Sequence, residues 1–146
     1  MSVMARPEGL DRFIEAQKGI YAQVCAELSA GRKATHWMWF IFPQLRGLGR
    51  SETARYYGLR NLSEARDYDS HPVLGTRLQD CARLLLTHPG VPIESIMGPV
   101  DALKLRSCAT LFASASEAPT VFLALLETFF DGRHCDLTAR ELEAPA

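Results

Sequence analysis

Apolar residues recur at i, i+3, i+4 and i+7 in one segment after another of this chain, and that spacing admits a helical core as its consistent reading. Between residues 10 and 28, Leu10, Phe13, Ile14, Gln17, Ile20, Tyr21, Val24, Cys25 and Leu28 fall on one face, with Gly31 as a natural C-terminal stop. Gly19 sits inside this expected helix at a cost of up to ~1 kcal/mol relative to alanine, which the periodic face absorbs.

The pattern continues downstream. Ser51 is placed to cap a short helix over 51–59, and Asn61 and Glu64 have N-cap and N3 spacing for another over 62–69. Pro72 fits the first position of a helix whose stripe is Leu74, Leu78, Cys81, Ala82 and Leu85, ending before Pro89. A short helical turn then precedes a longer helix from about Asp101, with Leu105, Cys108, Ala109, Phe112 and Ala115 inward. Val121, Phe122, Leu125, Leu126, Phe129 and Phe130 share a face that Gly132 ends, and Thr138 stands in capping-box relation to Glu141 at the start of a last helix. No segment sustains period-two alternation. The expected fold is all-α: one compact domain, 1–146, of about six to eight helices, with its core over about 9–142 and short flexible termini.

Length agrees with one core, since 146 residues with 47% hydrophobic content suffice for one domain and not for two ordinary ones. Sixteen basic and seventeen acidic residues leave a net charge of −1. No overall field is available to hold nucleic acid or an anionic membrane, so any anion binding must be local. Cys25, Cys81, Cys108 and Cys135 show neither a C-x-x-C pair nor zinc-type histidine spacing, so they read as free, buried thiols and no metal site is expected. The first residues contain no apolar leader-like run and no stretch approaches the ~18 apolar residues of a membrane span, which points to a cytoplasmic protein.

The stretch "GRKATHWMWFIFPQLRGLGRS", residues 31–51, sets Arg32, Lys33 and His36 directly before the apolar run Trp37 to Phe42. Thr35 can serve as N-cap and Pro43 would end a helix here, making the run a central core helix. Cations at such a helix start oppose its dipole, and an anion held by backbone amides with Arg32 and Lys33 resolves the conflict. Arg32 and Lys33 equally suit the C-terminus of the preceding helix as ordinary solvated residues. Gly47, Gly49, Arg50 and Ser51 lead into a second helix start that reads either as anion-receptive or as a plain connecting turn.

His36, between cations and aromatics, is the candidate proton carrier if there is chemistry, against a hydrogen-bonded helix-start histidine. Trp37 and Trp39 are candidate stacking residues or core; as i, i+2 neighbours they face different sides of a helix. Gln44, just beyond the run, joins the candidate ligand-binding set. In "GPVDALKLRS", Asp101 is a candidate N-cap and Lys104 brings a charge to the edge of the core stripe or merely snorkels. Asp101, Lys104 and Cys108 lie along one side and Arg106 nearly opposite, so the four cannot all address one site. His71 reads as a cap or turn residue, and His88 and His134 as helix-end residues.

The strings "LDRFIEAQ", "GRKATHWMWFIFPQLRGLG", "SHPVLGTRL" and "DALKLRSCATLF", in this order, resemble a bacterial domain family of unknown function whose members are often automatically named calpastatin-like. The resemblance spans roughly residues 9 to 142 and implies an all-α domain of similar length, with no reaction, ligand or cofactor to carry over. A protease-inhibitor segment that folds on binding should be polar and poor in aromatics, unlike this chain.

Two functions remain. One is a pocket beside the Trp-rich segment for a phosphate-bearing small molecule, a nucleotide derivative or sugar phosphate, with Arg32, Lys33 and Lys104 neutralising charge, Trp37 or Trp39 stacking and no cofactor. The other is a non-enzymatic module for a protein partner or for homo-oligomerisation. Nucleic acid is the poorest fit, because basic residues do not cluster along one helix.

Overall fold

The computed structural model describes residues 8–143. The expected flexible termini fall on residues 1–7 and 144–146 and lie outside the described residues.

The long N-terminal stripe is cut in two, as α1 (Asp11–Gln17) and α2 (Tyr21–Ala30). Gly19 takes a left-handed φ of 73°, which no helix can propagate, and the chain turns there instead of paying for glycine inside a helix. Phe13, Val24 and Leu28 still point inward on both sides of the break, which is why the stripe reads as one. Next come α3 (Met38–Ile41), a 3-10 turn at Arg46–Leu48, α4 (Glu52–Tyr57), α5 (Leu62–Ser70) and α6 (Leu74–Leu86). The chain finishes with α7 (Ile93–Met97), α8 (Pro99–Ala115), α9 (Thr120–Phe130) and α10 (Asp136–Glu143). The fold is all-α as expected. Ten helices among the described residues exceed the expected six to eight, because turns break the chain into one- and two-turn pieces such as α3 and α7. The nearest approach to a sheet among these residues is a single parallel bridge between Leu45 and Leu59.

Helix α8 is the axis. Gly98 precedes it and Pro99 opens it, so Asp101 lies in its first turn and is not its N-cap, in contrast to the expectation from spacing. Ala102, Leu105, Cys108, Leu111 and Phe112 are buried on several sides, packed by α5, α7, α9 and α10. Aromatic rings run through this core: Phe13 meets Tyr68 edge-on at 5.0 Å, Tyr68 lies 5.6 Å from Phe112, and Phe112 lies 5.5 Å from Phe122. A second layer joins α6 to α2, α5 and α9. Gly75 permits it: a Cβ there would stand 1.9 Å from the Asp69 carbonyl oxygen.

Caps at Ser51 and Asn61 form as expected, each side chain accepting from the amide three residues on. Pro72 instead sits in the turn before α6, where the His71 Nδ1 accepts from the Val73 and Leu74 amides. Thr138 is also displaced from its expected role. Helix α10 starts at Asp136, and Thr138 is buried with its hydroxyl 2.7 Å from that of Ser107, tying α10 to α8. All four cysteines are free, yet only Cys81 and Cys108 are buried, while Cys25 and Cys135 are partly exposed.

Candidate functional site

After Gly31 closes α2, residues 32–37 double back along the helix they have just left. The Arg32 amide donates to the Glu27 carbonyl and the Lys33 amide to the Ile96 carbonyl at 2.7 Å. What holds this strap is the carboxylate of Glu27, a buried charge on α2. It accepts from the amides of Ala34 (2.6 Å) and Thr35 (2.9 Å), the Thr35 hydroxyl (2.6 Å), the Trp37 indole (3.0 Å) and Gln23 (2.9 Å). Burial alone would raise this carboxyl, but the donors from Thr35, Gln23 and Ala34 outweigh it and hold the group down to about 2. Thr35 thus does not cap a helix; α3 begins at Met38 with Trp37 before it and no side-chain cap. The amides around Thr35 do receive an anion, and it is the protein's own.

Lys33 is similarly engaged. Its Nζ lies 2.9 Å from Asp101, 2.7 Å from the Thr35 carbonyl and 4.8 Å from the centre of the Trp37 ring. Asp101 also faces Lys104 at 3.7 Å, and Lys104 lies 5.1 Å from the centre of the Trp39 ring. One carboxylate therefore sits between two lysines, each over its own tryptophan. Trp37 is buried, Trp39 half-buried, and Arg32 and His36 are exposed on the strap.

Beyond Lys104 opens a cleft of about 550 Å³ between α8, α10 and the 3-10 turn. Leu48, Val100, Leu103 and Leu137 form its apolar walls, and Gln44, Arg50 and Lys104 are among its polar lining. Val100, Leu103 and Leu137 are 64%, 65% and 61% exposed, and their grouping in one cleft sets them apart from scattered surface aliphatics. Arg106 borders the opposite flank from Lys104, with Val100, Leu103 and Ser107 between them. The two cations do share one cleft, since the face between them lines it, while Asp101 turns to Lys33 and Cys108 to the core. Arg106 is tethered, donating to the carbonyls of Arg133 (2.8 Å) and His134 (2.6 Å). Arg50 is exposed and forms no ion pair among the described residues.

Of the candidate residues, Gln44 and Lys104 come together in the cleft; Lys33, Trp37 and Trp39 stand behind Lys104 in the packed layer; Arg32 and His36 do not line it. Sequence reasoning missed the apolar walls; Arg50, read there as part of an anion-receptive helix start or of a plain turn, lines the cleft beside them. The available signal was phase: Val100 and Leu103 are apolar yet fall off the inward stripe of α8. A second cleft of about 510 Å³ lies between α6 and the α8–α9 junction, but its polar groups serve the fold. There Asp69 accepts from the Glu117 amide and Gln79 donates to the Ala118 carbonyl. Among the described residues no cluster of three or more histidine, cysteine, aspartate or glutamate side chains could hold a metal ion, and no helix is long and apolar enough to cross a membrane.

Residues 7–142 match the model of a family described as protein of unknown function (DUF1810), and the chain belongs to that family. It is similar to the crystal structure of the conserved hypothetical protein Rv1873 from Mycobacterium tuberculosis, with 48% identity and a TM-score of 0.91 over 93% of this chain and 97% of that one. No curated protein matches the chain. Family membership and fold are thereby established.

Proposed function

We propose that the cleft between α8 and α10 binds a phosphate-bearing small molecule with an apolar body, a nucleotide derivative rather than a bare sugar phosphate. The observation that carries this reading is the pairing of solvent-exposed aliphatic walls with the cations Arg50 and Lys104. A volume of about 550 Å³ is in the range of small-molecule sites, which are mostly apolar with a few placed polar groups. The body would cover Leu48, Leu103 and Leu137, and the anionic group would lie toward Arg50 and Lys104, with Gln44 supplying a hydrogen bond. Arg32 and Lys33 take no part, the first lying outside the cleft and the second being held by Asp101.

The test is a thermal-shift screen against phosphate, nucleotides, dinucleotides and sugar phosphates. A ligand at ~100 times its dissociation constant adds ~2.7 kcal/mol. That shift is expected to vanish in Arg50→Ala and Lys104→Ala and persist in Arg32→Ala. Loss in Arg32→Ala alone would move the site to the strap.

A second reading, docking of a protein partner or of another copy, draws on the same exposed Val100, Leu103 and Leu137. It expects Leu103→Asp to abolish a concentration-dependent increase in sedimentation coefficient, and an unresponsive ligand screen. A monomer at all concentrations that responds to a nucleotide would discard it in favour of the first.

A further inference from the structure

The thiols at the seam of α2 and α6 play no part in the cleft, and their arrangement suggests chemistry of its own. Helices α2 and α6 pack together, and the Cys81 thiol faces the Tyr21 hydroxyl across the seam at 3.9 Å. Cys25 lies one turn beyond Tyr21 on α2, so the two share a face. Cys25 is also among the groups that raise both the Tyr21 hydroxyl and the Cys81 thiol. The three groups thus form one cluster, with two free thiols from segments distant in sequence. Arg77, one turn before Cys81 on α6, places its guanidinium 4.5 Å from the centre of the Tyr21 ring and brings a positive charge to the same seam.

Exposure divides the two cysteines. Cys25 is partly open to solvent, whereas Cys81 is fully buried. Burial pushes the Cys81 thiol up to about 12, so Cys81 stays protonated and inert toward small oxidants that first meet Cys25. Cys108 is shut inside the core, and Cys135 sits at the start of α10 with no thiol partner among the described residues.

We propose that Cys25 and Cys81 are a peroxide-responsive pair that closes into a reversible disulfide between α2 and α6. The Cys25 thiolate attacks one oxygen of hydrogen peroxide; an S–O bond forms, the O–O bond breaks, and the departing hydroxide takes up a proton to leave as water. The Cys81 sulfur then attacks the Cys25 sulfur of the sulfenic acid, forming the S–S bond and breaking the S–O bond. The hydroxyl leaves with the Cys81 proton as a second water. Two thiols are oxidised by two electrons and one peroxide is reduced to two waters, and a dithiol reductant reverses the closure. Transient disulfides of this type are compatible with a reducing compartment.

The experiment treats the reduced full chain with hydrogen peroxide, alkylates the remaining thiols after denaturation and maps the peptides by mass spectrometry. The expected result is an intramolecular cross-link carrying Cys25 and Cys81, a loss of two hydrogens, and full recovery of all thiols with dithiothreitol. Cys25→Ser, a change at a partly exposed position, is expected to abolish the cross-link and leave Cys81 alkylatable. Oxygen added to Cys25 without a cross-link, a bond between any other pair, a disulfide-linked dimer, or a cross-link persisting in Cys25→Ser would each overturn the proposal. Peptide mapping of the unaltered chain keeps the test decisive even where a variant folds poorly.

Discussion

Two glutamates lie buried among the described residues, Glu27 under the strap and Glu64 at the start of α5, and they are stabilised by opposite means. Glu27 is surrounded by neutral donors, two of them backbone amides. Glu64 is met by charge: the buried Arg12 guanidinium lies 3.1 Å away and the exposed Arg60 3.3 Å. Burial would raise the Glu64 carboxyl, and the Arg12 hydrogen bond with the Arg60 amide overcomes it, lowering the group below its ordinary value. The comparison teaches that an isolated charge can be buried without a counter-ion when the backbone donates enough hydrogen bonds, whereas a paired charge makes two segments depend on each other.

The largest effect is expected from breaking the pair. Arg12 also donates to the carbonyls of Gly9, Tyr56 (2.8 Å) and Gly58 (2.9 Å), so Arg12→Met strands a carboxylate and several carbonyls at once. Chemical denaturation is expected to show a loss of about 3–5 kcal/mol. The double change Arg12→Met with Glu64→Leu should recover part of it, and equal loss in single and double variants would show that the carbonyls, and not the charge, dominate.

Glu27→Gln should cost less, about 2–3 kcal/mol, because it keeps one acceptor oxygen but turns an amide NH₂ toward donors. Loosening of the strap would appear as increased access of a neutral quencher to Trp37. A shielded Trp37 in this variant would mean that packing, and not the carboxylate, holds the indole.

The smallest effect sharpens the same contrast through pH. Glu27 has a folded value of about 2, below its ordinary 4.5, so its ionisation stabilises the fold above about 4.5 and that contribution fades as pH falls toward 2. Glu64 is lowered in the same direction, so part of the acid sensitivity remains in Glu27→Gln. Between pH 4.5 and 2, stability is expected to fall more steeply in the unaltered chain than in the variant; identical slopes would remove Glu27 as an acid-sensitive anchor.

Much of this fold is legible in the amino-acid order. The stripe Leu74, Leu78, Cys81, Ala82 and Leu85 is buried throughout, and the caps at Ser51 and Asn61 form where their spacing puts them. Gly19 misled because the inward face keeps its phase across the break, so periodicity alone saw one helix. The candidate site was legible in part. A cation-rich strap beside a Trp-rich segment suggested an anion, and the anions found there, Glu27 and Asp101, belong to the chain itself. Asp101 lies far along the chain from Lys33, and no spacing rule links them.

What the amino-acid order determined alone was the helical class, most helix positions and the faces that turn inward, because those depend on neighbours within a turn or two of the chain. Tertiary packing decided where each charge found its partner and where apolar side chains remained uncovered. Lys33 meets Asp101 and Lys104 borders an open cleft only because the return of residues 32–37 lays the strap beside α7 and α8. Electrostatic and solvation energies depend on distance and burial in space, which local periodicity does not encode.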